Sequence, residues 1–147
     1  MTGFGTGAAL AGGRPVIHYQ ISSLIFPSFD QLVDQAAKLP LMLGGQIHVP
    51  ATYLIMGCGA AGGRAGQHSD NPYPYLIHAG IKYVIPSTPA DAKGLTLAAN
   101  REDDPVAVFV PVRLMGPKGR VDETAEAIPL AQGAVRREGR DVTVVAV

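Results

Sequence analysis

Three short runs constrain this chain more than anything else in it, because each is apolar on both faces of an extended backbone. They are Pro15-Val16-Ile17-His18-Tyr19, interrupted only at His18, then Ala51 to Met56, then Val106 to Val110. A strand wetted on one side alternates apolar and polar residues, whereas continuous runs belong to strands covered on both sides. Tyr83-Val84-Ile85 reads as a further short strand. Between the runs the period changes. Phe29, Leu32, Val33, Ala36 and Ala37 fall at i, i+3, i+4, i+7 and i+8, the stripe of an amphipathic helix. Ser28 and Gln31 have capping-box spacing at its start, and Pro40 should kink or end it near Leu39. Apolar strands alternating with amphipathic helices predict an α/β fold with a parallel sheet covered on both faces.

The remaining segments fit the same frame. Gly3 to Gly12 reads as the tail of a tightly packed helix whose start can lie before Met1, with a Gly-Gly pair suited to its C-cap. Tyr73 to Ala79 is a short helix between prolines. Thr88-Pro89-Ala90-Asp91 is a strong helix start, with threonine as N-cap and proline at the first helical position. The predicted apolar face of that helix is Ala92, Leu95 and Ala99. Beyond Pro111, Met115 to Ile128 is rich in glycine, proline and charge and reads as a linker or extended arm. Asp141 to Val147 has the composition of a strand, which suggests a chain cut short or one that pairs with something else.

Composition narrows the class. At 147 residues, with 47% hydrophobic and 16% charged side chains, the chain fits one globular domain. A formal net charge of zero gives no electrostatic reason to expect nucleic acid or an anionic membrane, and favours burial of surface against a protein partner. The single Cys58 excludes an internal disulfide framework and a multi-cysteine zinc site. No apolar block long enough for a transmembrane helix and no signal-peptide pattern occur, so a soluble, cytoplasmic protein is expected.

The richest chemistry follows the second apolar run, in Gly57-Cys58-Gly59-Ala60-Ala61-Gly62-Gly63-Arg64-Ala65-Gly66-Gln67-His68-Ser69. Loops at the carboxyl ends of parallel strands are where such sheets bind ligands. The G-x-G-x-x-G match at its start is not a nucleotide fingerprint. Gly63 to Pro74 has no helical period, and no acidic residue ends a strand about 20 positions on. His68 is the catalytic candidate, since imidazole titrates near neutrality; a structural histidine bonding a loop carbonyl is the alternative. His18, His48 and His78 lack ligand spacing. Glu102-Asp103-Asp104 could give oxygens to a cation, and as a helix end it opposes the helix dipole.

Several segments together resemble the β subunit of the thiamine-diphosphate-dependent 2-oxoacid dehydrogenases, the transketolase-like pyrimidine-binding domain. They are Gly7-Ala8-Ala9-Leu10-Ala11-Gly12 with Arg14-Pro15, Phe29-Asp30-Gln31 with Ala36-Ala37-Lys38, and Gly44-Gly45-Gln46 with Val49-Pro50. Gln67-His68-Ser69, Gly80-Ile81-Lys82, Val84-Ile85-Pro86, Pro89 with Asp91 to Leu95, Asp104-Pro105-Val106, Ile128-Pro129-Leu130 and the segment 137–146 continue the match in order. The resemblance implies a three-layer α/β sandwich with a mainly parallel sheet. It divides the chain into a pyrimidine-binding domain at 1–112, a linker or arm at 113–140, and at 141–147 the first strand of a C-terminal domain. It implies thiamine diphosphate as cofactor, with magnesium held mainly by an α-type subunit. That fits the lack of Gly-Asp-Gly followed by Asn-Asn here. A second β-type chain and a lipoyl-bearing acyltransferase are the other implied partners.

By the same resemblance His68 matches the family histidine beside the reacting carbonyl, Leu24 occupies the position of the aromatic that stacks on the pyrimidine, and Gln67 joins the cofactor contacts. Ala51, Ala99, Asn100, Glu102 and Asp104 match a potassium site of some members. The sequence departs from the family in several places. Leu24 is not aromatic, Pro27 replaces a glutamine, Tyr53-Leu54 replaces the arginine opening the glycine loop, and Asp70 replaces the Gln after His-Ser. The family glutamate would fall before Met1. The expected function is the pyrimidine side of a 2-oxoacid dehydrogenase site, as a fragment or truncated product not active by itself. A non-catalytic assembly domain and a transketolase-type ketol-transfer subunit are the alternatives.

Overall fold

A computed structural model describes residues 1–59, 65–124 and 126–145. Four parallel strands form one sheet in the order β1-β2-β4-β3, with β1 at Val16–Tyr19, β2 at Thr52–Cys58, β3 at Lys82–Val84 and β4 at Val106–Pro111. The two central strands are those read as continuous apolar runs. Their alternate residues feed two separate cores. Tyr53, Ile55, Ala107 and Phe109 point to one face, where they meet Ala9, Ile25, Leu32, Ala36 and Leu76. Val106 and Val108 point to the other, against Ala99, Leu54, Val84, Val110 and Leu130. Each large side chain so buried contributes about 1.5–3 kcal/mol. The sheet is thus the middle of three layers, as the alternating pattern requires.

The first layer begins with α1 (Thr2–Leu10). Gly5 sits so close to the sheet that a Cβ there would lie 2.6 Å from Ile17. The helix ends in a Schellman motif: Gly13 N–H reaches Ala8 C=O, Gly12 N–H reaches Ala9 C=O, and Gly12 takes φ of 92°. The expected glycine cap is therefore formed. The next helical stretch differs from its expected course. It opens as a 3₁₀ segment at Ser22–Ser28, widens to a π-helix at Gln31–Ala37 and restarts after Lys38 as a one-turn α2 (Leu39–Met42). The stripe is kept, with Leu32 and Ala36 fully buried. The capping box is not formed. Ser28 Oγ donates to Ile25 C=O and lies 3.0 Å from Tyr19 Oη, while Gln31 Nε2 donates to Asp30. Pro40 has no N–H for Ala36 C=O and its ring would crowd that carbonyl, so the helix widens before it and restarts around it. The layer closes with α3 (Tyr73–His78).

The second layer is α4 (Pro89–Arg101), capped as expected by Thr88 Oγ1 accepting from Asp91 N–H at 3.1 Å. Of the expected face Ala92, Leu95 and Ala99, Ala99 is buried, Leu95 half-buried and Ala92 exposed. Asp91, Gly94 and Ala98 are buried as well. The cause lies in the segment after β4. Rather than hanging free, it folds back along α4. Ile128 donates its N–H to Gly94 C=O and fills the space where a Cβ of Gly94 would lie 2.5 Å from its side chain. Lys93 donates to the carbonyls of Asp122 and Glu123, and Arg136 bonds Asp91. Asp141–Val145 joins no ladder among the described residues, and Val145 is 90% exposed.

Candidate functional site

At the carboxyl end of β2 the backbone is forced to change course. Met56 pairs with Val110 but Cys58 pairs with Pro111, so Gly57 is bulged out of register at φ of 71°. Gly59 follows at φ of 82° and donates its N–H to Asp70 C=O. Both conformations favour glycine. The first two glycines of the G-x-G-x-x-G match therefore serve a bulge and a turn. Ala60 to Arg64, including the third glycine Gly62, lie outside the described residues. Ala65 is held at φ of 59° and ψ of −174°, a region costly for a residue with a Cβ. Its carbonyl accepts Ser69 Oγ at 2.7 Å and His68 N–H at 3.3 Å. That strained residue opens the single 3₁₀ turn Gly66–His68, on which Gln67 is exposed and His68 is half-buried.

His68 Nδ1 lies 2.9 Å from the carbonyl of Gln67 and 3.5 Å from Ser23 Oγ. The loop-carbonyl bond foreseen as a structural role is thus present, and it uses only one ring nitrogen. Ser23 and the buried Ser22 belong to the 3₁₀ segment Ser22–Ser28. Ser22 Oγ donates to Asp70 C=O at 2.9 Å. The same segment carries Leu24, which is 45% exposed. Leu24, Gln67 and His68, far apart in sequence, come from two short 3₁₀ elements bonded to each other beyond the carboxyl end of β2.

The five potassium-site residues do not join them. Ala51 precedes β2, Glu102 and Asp104 lie between α4 and β4, and the cluster sits at the amino end of the sheet. All but one of the oxygens considered are engaged. Ala51 C=O accepts Val106 N–H, and Ala99 C=O accepts Glu102 N–H. Asn100 C=O and Glu102 C=O accept the Arg14 guanidinium at 3.3 and 2.7 Å, and Asp103 bonds the same group. Lys82 Nζ sits between Glu102 and Asp104 at 2.6 and 2.9 Å. Those hydrogen bonds raise the Lys82 pKa, and Arg14 lowers that of Asp103. Asn100 Oδ1 is buried without a partner among the described residues. A hard cation needs converging free oxygens. Here two protein cations hold the carbonyls and carboxylates, so the arrangement does not fit potassium. The acids that oppose the helix dipole are compensated by Arg14 and Lys82.

Sequence reasoning missed Ser22 and Ser23, since two adjacent serines in a helix start carry no motif. It also missed a polar cluster under α1, where Tyr19 Oη meets Thr2 Oγ1 at 2.6 Å and Tyr53 is fully buried, its hydroxyl near Thr6 but without a well-formed hydrogen bond among the described residues. Burial pushes the Tyr53 hydroxyl up to about 12. Burial likewise pushes the Cys58 thiol up to about 12, which makes it a neutral packing group beside the site. Among the described residues no group of three or more His, Cys, Asp or Glu side chains could hold a metal, and no helix is long and apolar enough to cross a membrane.

The family described as "Transketolase, pyrimidine binding domain" matches residues 1–118. The chain is 40% identical over 99% of its length to the 2-oxoisovalerate dehydrogenase subunit beta of Dictyostelium discoideum, of which it covers 40%. It is 37% identical to the pyruvate dehydrogenase E1 component subunit beta of Leifsonia xyli, over 99% of this chain and 43% of that one. With the beta subunit of acetoin:2,6-dichlorophenolindophenol oxidoreductase from Bacillus subtilis the identity is 41%, over 95% of this chain and 41% of the relative. The chain therefore spans about two fifths of the length of these curated relatives. With a four-stranded parallel sheet between helical layers and a match covering most of its length, the chain belongs to the transketolase pyrimidine-binding domain family.

Proposed function

We propose that this chain forms the pyrimidine side of a thiamine-diphosphate site in a β-type subunit of a 2-oxoacid dehydrogenase. An α-type subunit would hold the diphosphate and magnesium, and a second β-type chain and a lipoyl-bearing acyltransferase complete the assembly. The observation that carries the reading is the junction of the two 3₁₀ elements, which brings Leu24, Gln67 and His68 together beyond the carboxyl end of β2. These residues fit a flat heterocycle: Leu24 offers apolar surface, the Gln67 amide can hydrogen-bond, and one ring nitrogen of His68 bonds no other group among the described residues. When bound, thiamine diphosphate supplies the carbon nucleophile and electron sink for decarboxylation of a 2-oxo acid. The work left to this chain is to orient the ring and to hold or move a proton at His68 Nε2 beside the reacting carbonyl. Potassium has no part in this reading.

The test is reconstitution with an α-type subunit and assay of decarboxylation of pyruvate and of branched-chain 2-oxo acids. Turnover by the complex but not by the lone chain, lost in His68→Ala, is the expected result; turnover by the lone chain would overturn it. One observation favours a non-catalytic assembly domain instead. Leu24 cannot stack as an aromatic ring does, and Phe26, Tyr75 and Ile77 are left exposed as an apolar surface. Calorimetry separates the two, since an assembly domain would take up no thiamine diphosphate in the complex.

A further inference from the structure

Ser22 is the most informative residue that no motif singles out. It is fully buried, and its hydroxyl is used across 48 positions of sequence to reach Asp70 C=O. That carbonyl also accepts Gly59 N–H at 3.2 Å. The end of β2, the loop after His68 and the 3₁₀ segment bearing Leu24 therefore meet at one oxygen. A buried hydroxyl is costly unless bonded, so this bond fixes the spacing of the segments. One residue on, Ser23 Oγ faces the His68 ring.

The ring's protonation pattern follows from its partners. A carbonyl only accepts, so Nδ1 at 2.9 Å from Gln67 C=O must carry the hydrogen. Ser23 Oγ, on the same side at 3.5 Å, is a second acceptor for that N–H. In a neutral imidazole the lone pair is then on Nε2, since the bond made by one nitrogen sets the state of the other.

We infer that Ser22 and Ser23 are the positioning residues of His68. Ser22 sets the distance of its loop from the Leu24 segment, and Ser23 reinforces the Nδ1–H tautomer that the Gln67 carbonyl imposes, which leaves Nε2 as the basic atom. The inference rests on the reading of His68 as a proton-handling group, and its test separates the two. In the full chain with nitrogen-15 histidine, His68→Gln assigns the His68 signals, which should show protonated Nδ1 and bare Nε2 at neutral pH. Ser23→Ala should shift them towards a mixture of tautomers, Ser23→Thr should restore the wild-type pattern, and Ser22→Ala should broaden or move them. In the assembled enzyme Ser23→Ala should lower kcat about tenfold with KM for the 2-oxo acid unchanged, the signature of a misplaced group. A wild-type His68 protonated at Nε2, or a pattern indifferent to Ser23→Ala, overturns the inference even if His68→Ala abolishes turnover. If the tautomer responds as described while His68→Ala keeps full turnover, the positioning stands and the proton-handling role falls. Ser23 is partly exposed, so its variants should fold even if Ser22→Ala does not.

Discussion

At the amino end of the sheet the charged side chains are paired with groups of opposite character, although Thr52 Oγ1, Tyr53 Oη and Asn100 Oδ1 are buried there without a partner among the described residues. Arg14 gathers two carbonyls and Asp103, and Lys82 sits between Glu102 and Asp104. At the carboxyl end the reverse holds. A bulged glycine, a second glycine in the left-handed region and a strained Ala65 lead to a histidine anchored through one nitrogen, with no bond to the other among the described residues. One end is dominated by charge compensation; the other holds backbone strain beside a half-buried histidine. In a parallel sheet this asymmetry is what a site at the carboxyl ends of the strands requires.

The sharpest way to break the comparison is to mutate both ends in the reconstituted enzyme. His68→Ala should lower kcat by about 10²–10⁴-fold, the range for loss of a general acid–base, with the unfolding midpoint unchanged. Lys82→Met should leave kcat unchanged and lower stability by less than about 1 kcal/mol, since the Lys82 ion pairs are half exposed. Equal losses of turnover from both would show that the two ends are not functionally distinct.

A second contrast is written in pH. Burial alone would raise the Asp91 carboxyl, but hydrogen bonds from Arg136, Ser87 and Thr88 outweigh it and hold it at about 2. Its folded pKa lies below the ordinary carboxylate value of 3.8, so the stability it provides is present above that pH and lost as pH falls through about 2. The amount is about 2 kcal/mol. Lys82 behaves oppositely: its pKa is raised above 10.5, so its contribution is complete below that pH and lost as pH rises through the folded value. Denaturant unfolding should therefore show Asp91→Asn costing about 2 kcal/mol at pH 7 and losing most of the wild type's acid sensitivity between pH 4 and 2. A cost that persists unchanged below pH 2 would assign the effect to packing instead.

The third test acts on the strained loop. Ala65→Gly removes a backbone penalty of about 1–3 kcal/mol and gives back about 0.4–1 kcal/mol through the freer unfolded chain. The midpoint of thermal unfolding should rise by about 2–4 °C. Turnover in the assembled enzyme should fall, because the turn bearing His68 is held less firmly. A lower midpoint would mean that Ala65 is not strained.

The difference between the ends also explains what the sequence could reveal. The central strands were legible because Ala51–Met56 and Val106–Val110 have no polar face, and Thr88-Pro89 marked its helix because capping is local chemistry. His68 was legible as a titratable group in a glycine-rich loop. Ala92 was misjudged because the inward face of α4 is set by Ile128 and Arg136, residues 34 or more positions away that no helical period contains. Ser28 was misjudged because Tyr19 and Ile25 compete for its hydroxyl. The potassium cluster followed from an acidic helix end and from resemblance, and the cations that bond it, Arg14 and Lys82, come from other elements.

That last point gives the smallest and most decisive effect. A bound potassium ion would stabilise the fold by mass action, by about 2.7 kcal/mol at a hundred times its dissociation constant. With the Lys82 ammonium between the two carboxylates and Arg14 on the carbonyls, an added cation meets like charge and few open oxygens. Replacing potassium by sodium at constant ionic strength should therefore leave the unfolding midpoint unchanged, since screening depends on ionic strength and not on the ion's identity. In Lys82→Met the two carboxylates lose their partner. If either ion then stabilises the variant, Lys82 fills the place of a cation. A potassium-specific rise in the wild-type protein would instead show that the amino end opens to bind an ion, and the contrast between a closed end and an open one would fail.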